Sequence, residues 1–570
     1  MSNIEYRKEM LIKIKANGVS YFFNFLVGVI IFIAFLFSCA KQVPLTGGPK
    51  DTEHPKLVSA LPNIGSTNFS QQKVVLKFNE FIKLNSLNQK LIISPPINPE
   101  PQIKLSGKSI KIFFDPNTLS ENTTYLINFN DAIADINENN AINSFIYAFS
   151  TGNIIDSLMI SGKVVDALSL KTAEDIWILL HTNLSDTAIT SFKPEYITKT
   201  DKNGNFTVPF LKQNQYRLYA LKDINFNYIY DLPNEMIAFY DSIITPTAVF
   251  DSASKKVIYQ PSDIILRLFS SEKQLQSVKS SKRIYRNKIE FVFNKPLESF
   301  YSLKVIEDTN ALIIPNKNKA DSLIIWIQNE DLFEKNIETI LQFSDPDFND
   351  SLIIDTVVFR NPNKNFVMTD FAPKVNKSKE PHQDLKLFFE TPIKIIEKEK
   401  LKFRTDTVYI NTKFEAKIDS LNPQNVIITT SFLEKTDYKI LLEDGFCKNV
   451  YGDINTQAEL SFTTISSAEY SNLKLFFADK DKQYIVQLLL SDKVIYEAIS
   501  NEGTAIFEFI KPSKYRIRVI IDENKNGKWD TGDYTQLKQP EKVVFLQDEY
   551  ELRANWNHEL DWDIENRTNK

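Results

Sequence analysis

The residues of this chain whose types and spacing best suit chemistry form one run: Asp522-Glu523-Asn524-Lys525-Asn526-Gly527-Lys528-Trp529-Asp530-Thr531-Gly532-Asp533. Oxygen-bearing side chains recur at alternate early positions and again at the ninth and twelfth, with glycine at the sixth, the pattern of a calcium loop. A hard cation takes about six to eight oxygens. This spacing would curl Asp522, Asn524, Asn526, Asp530 and Asp533 inward and add the backbone carbonyl of Lys528. The flanks read as strand, so the loop is calcium-type without being an EF-hand. A second run keeps Asp223, Asn225, Asn227 and Asp231, lacks the glycine, and has Glu235 close by as a further ligand. Two readings stand for both loops: structural Ca2+, or a polar Asx turn that closes a β-connection without metal.

Other chemistry is sparse. The histidines, His54, His181, His382 and His558, are far apart, and none sits near Cys447 in sequence. Cys447 therefore reads as a buried structural thiol. No nucleophile elbow, His-Glu-x-x-His helix or paired-carboxylate motif is present, so no enzymatic activity is expected. With only 14 glycines, phosphate-cradling loops are disfavoured. The formal charge of −5 gives no electrostatic reason to bind nucleic acid. Trp556 and Trp562 flank a C-terminal strand and read either as a sugar-stacking platform or, more ordinarily, as packing residues.

The N-terminus carries Arg7, Lys8, Lys13 and Lys15, then an apolar run from Tyr21 to Phe37, then Ser38-Cys39. Basic residues, an apolar core and a cut site are the layout of a secretory signal peptide. A cut before cysteine resembles the lipobox of bacterial lipoproteins, in which that cysteine becomes an acylated N-terminus. The resemblance implies a signal peptide over 1–38, lipidation at Cys39 and a membrane anchor. An uncleaved spanning anchor is the alternative. Residues 39–54, rich in proline and glycine, read as a flexible tether.

The elements that must position these residues are strands. Phe (42) and Tyr (22) are abundant, and such residues favour sheets. From Pro55 onward, apolar or alternating runs recur between turn signals, which predicts an all-β chain of tandem β-sandwich modules. Three runs share one signature: Val74 to Ile82, Ile289 to Leu297 and Leu385 to Ile393, each a strand ending in phenylalanine, then a break. Two longer segments repeat each other at a constant offset. Gly204, Phe210, Lys212, Tyr216, Asp223, Asn225, Asn227 and Asp231 align with Gly503, Phe509, Lys511, Tyr515, Asp522, Asn524, Asn526 and Asp530.

The first set resembles bacterial Ig-like domains of the S-layer (SbsA) type, at 55–152, 272–368 and 372–466. The duplicated set resembles transthyretin-like or CnaB-like modules, at 155–270 and 467–563. Short linkers such as Thr151-Gly152-Asn153 suggest a semi-rigid rod or arc. Lipobox, tether, Ig-like unit and Asp-Asn loop together resemble the Ig-like-domain lipoproteins of Bacteroidota. That resemblance implies an outer-membrane protein held by its lipid, on the periplasmic or the surface face. It also implies no enzymatic activity. Five sandwiches on a lipid anchor would present edges and loops to a partner, so the expected role is a non-catalytic scaffold or accessory subunit with a membrane-protein partner. A cell-surface adhesin or glycan-binding lipoprotein is the alternative.

Overall fold

The computed structural model describes residues 51–564 apart from 272–274, 298–300, 316–320, 346–350, 361–370, 406–407, 411–412 and 547. Residues 1–38, read above as a signal peptide, and Cys39 lie outside the described residues. Contacts divide the described chain into two units. One comprises 51–92, 98–121 and 126–151, the other 93–97, 122–125 and 152 onward.

The chain is a series of β-sandwiches. In the first unit a four-stranded sheet runs in the order Leu57–Leu61, Lys73–Phe78, Ser109–Phe113, Gln102–Ser106. Its second strand shows why it forms: Val74, Leu76 and Phe78 are buried while Lys73 and Lys77 face solvent, the period-2 alternation of a half-buried strand. Phe69, Phe114 and Phe149 meet edge-on or tilted beneath it.

In the second unit the other two signature strands, Lys288–Phe293 and Leu385–Phe388, hold the same second place in four-stranded sheets. Their orders are Val278–Tyr285, Lys288–Phe293, Ser322–Trp326, Leu312–Pro315 and Lys374–Val375, Leu385–Phe388, Asn425–Thr429, Glu415–Ile418. Each faces a second sheet across its own core: Phe291, Phe293, Leu341 and Phe343 in one, Leu387, Phe403, Ile440 and Phe462 in the other. Cys447 lies in the latter core, fully buried and free. Burial drives its thiol pKa far upward, so the thiolate needed for nucleophilic chemistry is suppressed.

The duplicated segments share a different topology. Around 158–268, a sheet of Asn205–Leu211, Leu158–Asp166 and Ile264–Leu268 covers one of Tyr196–Lys199, Trp177–His181, Arg217–Lys222 and Met236–Phe239. Around 471–562, Thr504–Ile510, Ser471–Phe477 and Asn557–Trp562 cover Lys493–Ile499, Gln483–Leu490, Ser513–Asp522 and Val543–Phe545. Both three-stranded sheets contain one parallel pair, between their first and last strands in sequence. We call these the first and second repeat.

Candidate functional site: two Asp–Asn loops and the face between the repeats

Each loop leaves the end of a central strand, Arg217–Lys222 or Ser513–Asp522. The leading aspartate turns back and caps the loop. Asp223 accepts hydrogen bonds from the amides of Phe226 (2.7 Å) and Tyr228 (2.7 Å). Asp522 accepts from those of Asn526 (3.1 Å) and Gly527 (2.7 Å), and from Gln483 Nε2 (3.0 Å). The asparagines then reach across to the ninth-position aspartate. Asn225 and Asn227 donate to Asp231 at 3.1 and 2.7 Å. Asn526 donates to Asp530 at 3.1 Å, and Asn524 donates to it as well.

Backbone geometry is shared too. Phe226 and Tyr228 have φ of 60° and 63°, and Lys525 and Gly527 have 60° and 76°. Glycine accepts this left-handed region without a Cβ penalty. Tyr228 takes it at the matching position, where its ring meets Trp177 edge-on at 4.8 Å.

A buried glutamate closes each loop. Glu235 accepts from the amides of Ile224 (3.1 Å), Asp231 (3.2 Å) and Leu232 (3.1 Å). In the second repeat Glu541 does the same for Glu523 (2.9 Å) and Asp530 (3.0 Å). Burial pushes the Glu541 carboxyl upward, with those amides opposing the shift. Sequence spacing points to Asp533 for this place. The structure instead turns Asp533 to the amides of Thr535 and Gln536. A signal for Glu541 does exist in the sequence: aligning the repeats on Glu235, with a short insertion after Asp530, reaches it. The Lys528 amide donates to Asn526 Oδ1 at 2.8 Å.

The oxygens of Asp522, Asn524, Asn526, Asp530 and Glu541 are hard donors of the kind Ca2+ takes. In this arrangement the carboxylates are satisfied by N–H groups. Among the described residues no three His, Cys, Asp or Glu side chains stand close enough together to hold a metal ion. The histidines stay scattered. Trp562 is core, against Phe477. Trp556 is exposed, with Arg553 over its ring at 5.6 Å and His558 stacked at 5.8 Å.

The course of the chain beyond the second loop was not legible in the sequence. Residues 529–541 lie against the first repeat. Tyr534 is 5% exposed. Its ring meets Tyr219, Tyr230 and Phe239 at centroid distances of 6.1, 5.8 and 5.6 Å, and its hydroxyl donates to the Asp186 carbonyl. Thr531 Oγ1 donates to the Ser270 carbonyl (2.8 Å), the Tyr534 amide to Ser271 Oγ (2.7 Å), and Gln539 Nε2 to the Phe239 carbonyl (2.9 Å). Gly532 fits because it has no side chain: a Cβ there would stand 2.5 Å from the Phe269 ring.

The contact is reciprocal. Leu168 and Leu170 of the first repeat pack on Ile485, Ile520 and Val543 of the second, and Lys171 pairs with Asp492 at 2.8 Å. Of the rod or arc that short linkers suggest, the contacts within this unit exclude the rod. The last sandwich returns to the first repeat.

These features define a class: a tandem β-sandwich protein. Residues 51–151 match the bacterial Ig-like domain family. No curated protein matches the chain. Among solved structures it is similar to BcpA, the major pilin subunit of Bacillus cereus, at 10% identity over 72% of this chain and 99% of that one, TM-score 0.14. The S-layer protein rSbsC is similar at 10% identity over 87% and 67%, TM-score 0.13. The T6 backbone pilin of serotype M6 Streptococcus pyogenes is similar at 11% over 70% and 81%, TM-score 0.13. No helix among the described residues is long and apolar enough to cross a membrane.

Proposed function

We propose that the chain is a non-catalytic outer-membrane lipoprotein, anchored through Cys39, that serves as a scaffold or accessory subunit of a membrane-protein complex. The observation that carries this reading is where the reactive side chains go. Cys447 is sealed in a core, both loops spend their carboxylates on backbone amides, and Trp562 is packed inside. Apolar side chains left outside lie instead along strands: Val249, Phe250, Val257 and Ile258 on a two-stranded ribbon, and Leu352, Ile354 and Val358 on a sheet-end strand. Open strands of this kind suit pairing with another polypeptide.

The test is affinity capture of the lipidated protein from gently solubilised outer membranes, with mass spectrometry of what accompanies it. Stoichiometric recovery of a β-barrel or its accessory proteins supports the reading, and recovery of the lipoprotein alone overturns it and leaves the glycan-binding alternative. Anchoring has its own check: metabolic palmitate labelling should vanish in Cys39→Ala.

The loops enter the same reading as braces of the repeat contact, with structural Ca2+ as their ligand. Asp522, Asn524, Asn526 and Asp530, with Asp223, Asn225, Asn227 and Asp231 in the first repeat, are the residues that would hold it, and the ion would supply cross-linking charge to the loop. Millimolar Ca2+ should then raise the melting temperature above that in EDTA. Identical melting curves would leave the hydrogen-bonded turn as the whole device.

A further inference from the structure

We propose that the contact between the two repeats is a pH-sensitive latch, which mild acid opens by protonating His181. His181 ends the strand Trp177–His181. Ile178 and Leu180 of that strand face the sandwich core, so by alternation His181 faces the other way, toward the layer where Tyr534 docks. It is nonetheless fully buried, and neither ring nitrogen has a hydrogen-bond partner. The Tyr219 ring stands edge-on to it at 5.6 Å, and Tyr534 lies beyond Tyr219.

The charged groups around it offer an imidazolium little. Glu195 attracts it, but both Glu195 oxygens already accept from Thr182, at 2.8 and 2.6 Å. Arg217 is the cross-strand partner of His181 and is itself a cation, tied to Asp186 at 2.7 Å. Asp186 in turn lends its carbonyl to Tyr534. Burial accordingly lowers the proton affinity of His181, with Glu195 as a smaller opposing influence.

The sister repeat shows that the sandwich does not require a histidine here. Arg217 and Arg516 occupy equivalent positions, and the residue paired with Arg516 is Leu489. An apolar side chain fills this place in the second repeat.

Linkage fixes the sign. A histidine with a depressed pKa in the closed form binds its proton more readily in an open form that admits water, so the closed form weakens as pH falls below about 6.5. Tyr219 and Tyr534, whose hydroxyl pKa values are raised by burial, stay neutral throughout that range. Asp492, held low by Lys171 and Arg516, stays ionised there too. The Lys171 ion pair therefore does not supply the transition.

The test uses the full chain with spin labels at Lys171→Cys and Lys493→Cys, reading the distance distribution at pH 7.5 and pH 5.0. The expected result is one short distance at pH 7.5. At pH 5.0 a longer population should appear at the expense of the short one, so that the closed-to-open ratio falls. His181→Leu, or His181→Gln if leucine impairs folding, should remain closed at both pH values. A wild-type chain that stays closed at pH 5.0 would overturn the latch, and so would a His181 variant that still opens. Loss of hydrogen-exchange protection at core residues Leu218 and Ala220 together with opening would also overturn it, because the repeat would then be unfolding rather than undocking.

Discussion

The two repeats have one fold and two different outer faces. Inside, they agree closely. Tyr216 and Tyr515 each donate a hydroxyl to the carbonyl four residues earlier, Lys212 and Lys511, at 2.7 and 2.8 Å. The amides of those lysines in turn donate to Tyr196 and Tyr496. Phe210 and Phe509 both take positive φ, 59° and 53°.

Outside, the cross-strand pair Leu179 and Tyr219 of the first repeat has Gln487 and Arg518 as its counterpart in the second. Arg518 donates to Gln487 at 2.6 Å, and Gln487 donates to Glu497 at 2.5 Å. The first repeat thus offers an aromatic layer that takes Tyr534, whereas the second keeps a polar network beside a small apolar patch that takes Leu168 and Leu170. Core positions are held by the shared sandwich. Outward positions are free to diverge, and here each has diverged toward what lies upon it.

That contrast can be broken most forcefully at Tyr534. Tyr534→Ala removes a buried aromatic ring and a hydroxyl donor from the docked face, and should cost about 3 kcal/mol in a denaturant titration of the full chain. A loss below about 1 kcal/mol would show that the aromatic layer does not hold the repeats together.

Next come the glutamates that close the loops. Glu235→Ala and Glu541→Ala each strand buried amides, and each should cost about 2 kcal/mol. If only one does, the equivalence of the loops fails. Tyr216→Phe and Tyr515→Phe sharpen the inner half of the comparison. Each removes one hydrogen bond at the same corner and should cost about 1 kcal/mol in the same titration, and a clear inequality would mean that docking reaches the core. The smallest effect belongs to Lys171→Ala. Its ion pair with Asp492 is more than half exposed on the lysine side, so the change in unfolding free energy should stay within about 0.5 kcal/mol and shrink further in salt.

Much of the fold was legible because strands announce themselves locally. Val74, Leu76 and Phe78 alternate with lysines, and the same alternation in Lys288–Phe293 placed that strand although the residues around it share little else with the other two Ig-like segments. The repeat alignment was legible for the same reason: Gly204 and Gly503 sit in matching turns at φ 74° and 75°. The candidate site was half legible. Asp522, Asn524, Asn526 and Asp530 do come together, because a loop of fixed spacing curls on itself. Glu541 was missed and Asp533 chosen in its place, since the intervening residues leave the loop to dock and then return.

The sequence by itself therefore determined the all-β architecture, the duplication and the local course of both loops, since alternation, glycine placement and Asx turns act within a few residues. Only the tertiary structure decided that Tyr534 is buried against Tyr219 and Phe239 and that Gly532 clears Phe269. Those outcomes depend on surfaces some three hundred residues apart in the chain meeting with complementary shape, and no local pattern encodes which outward face will be covered or by what.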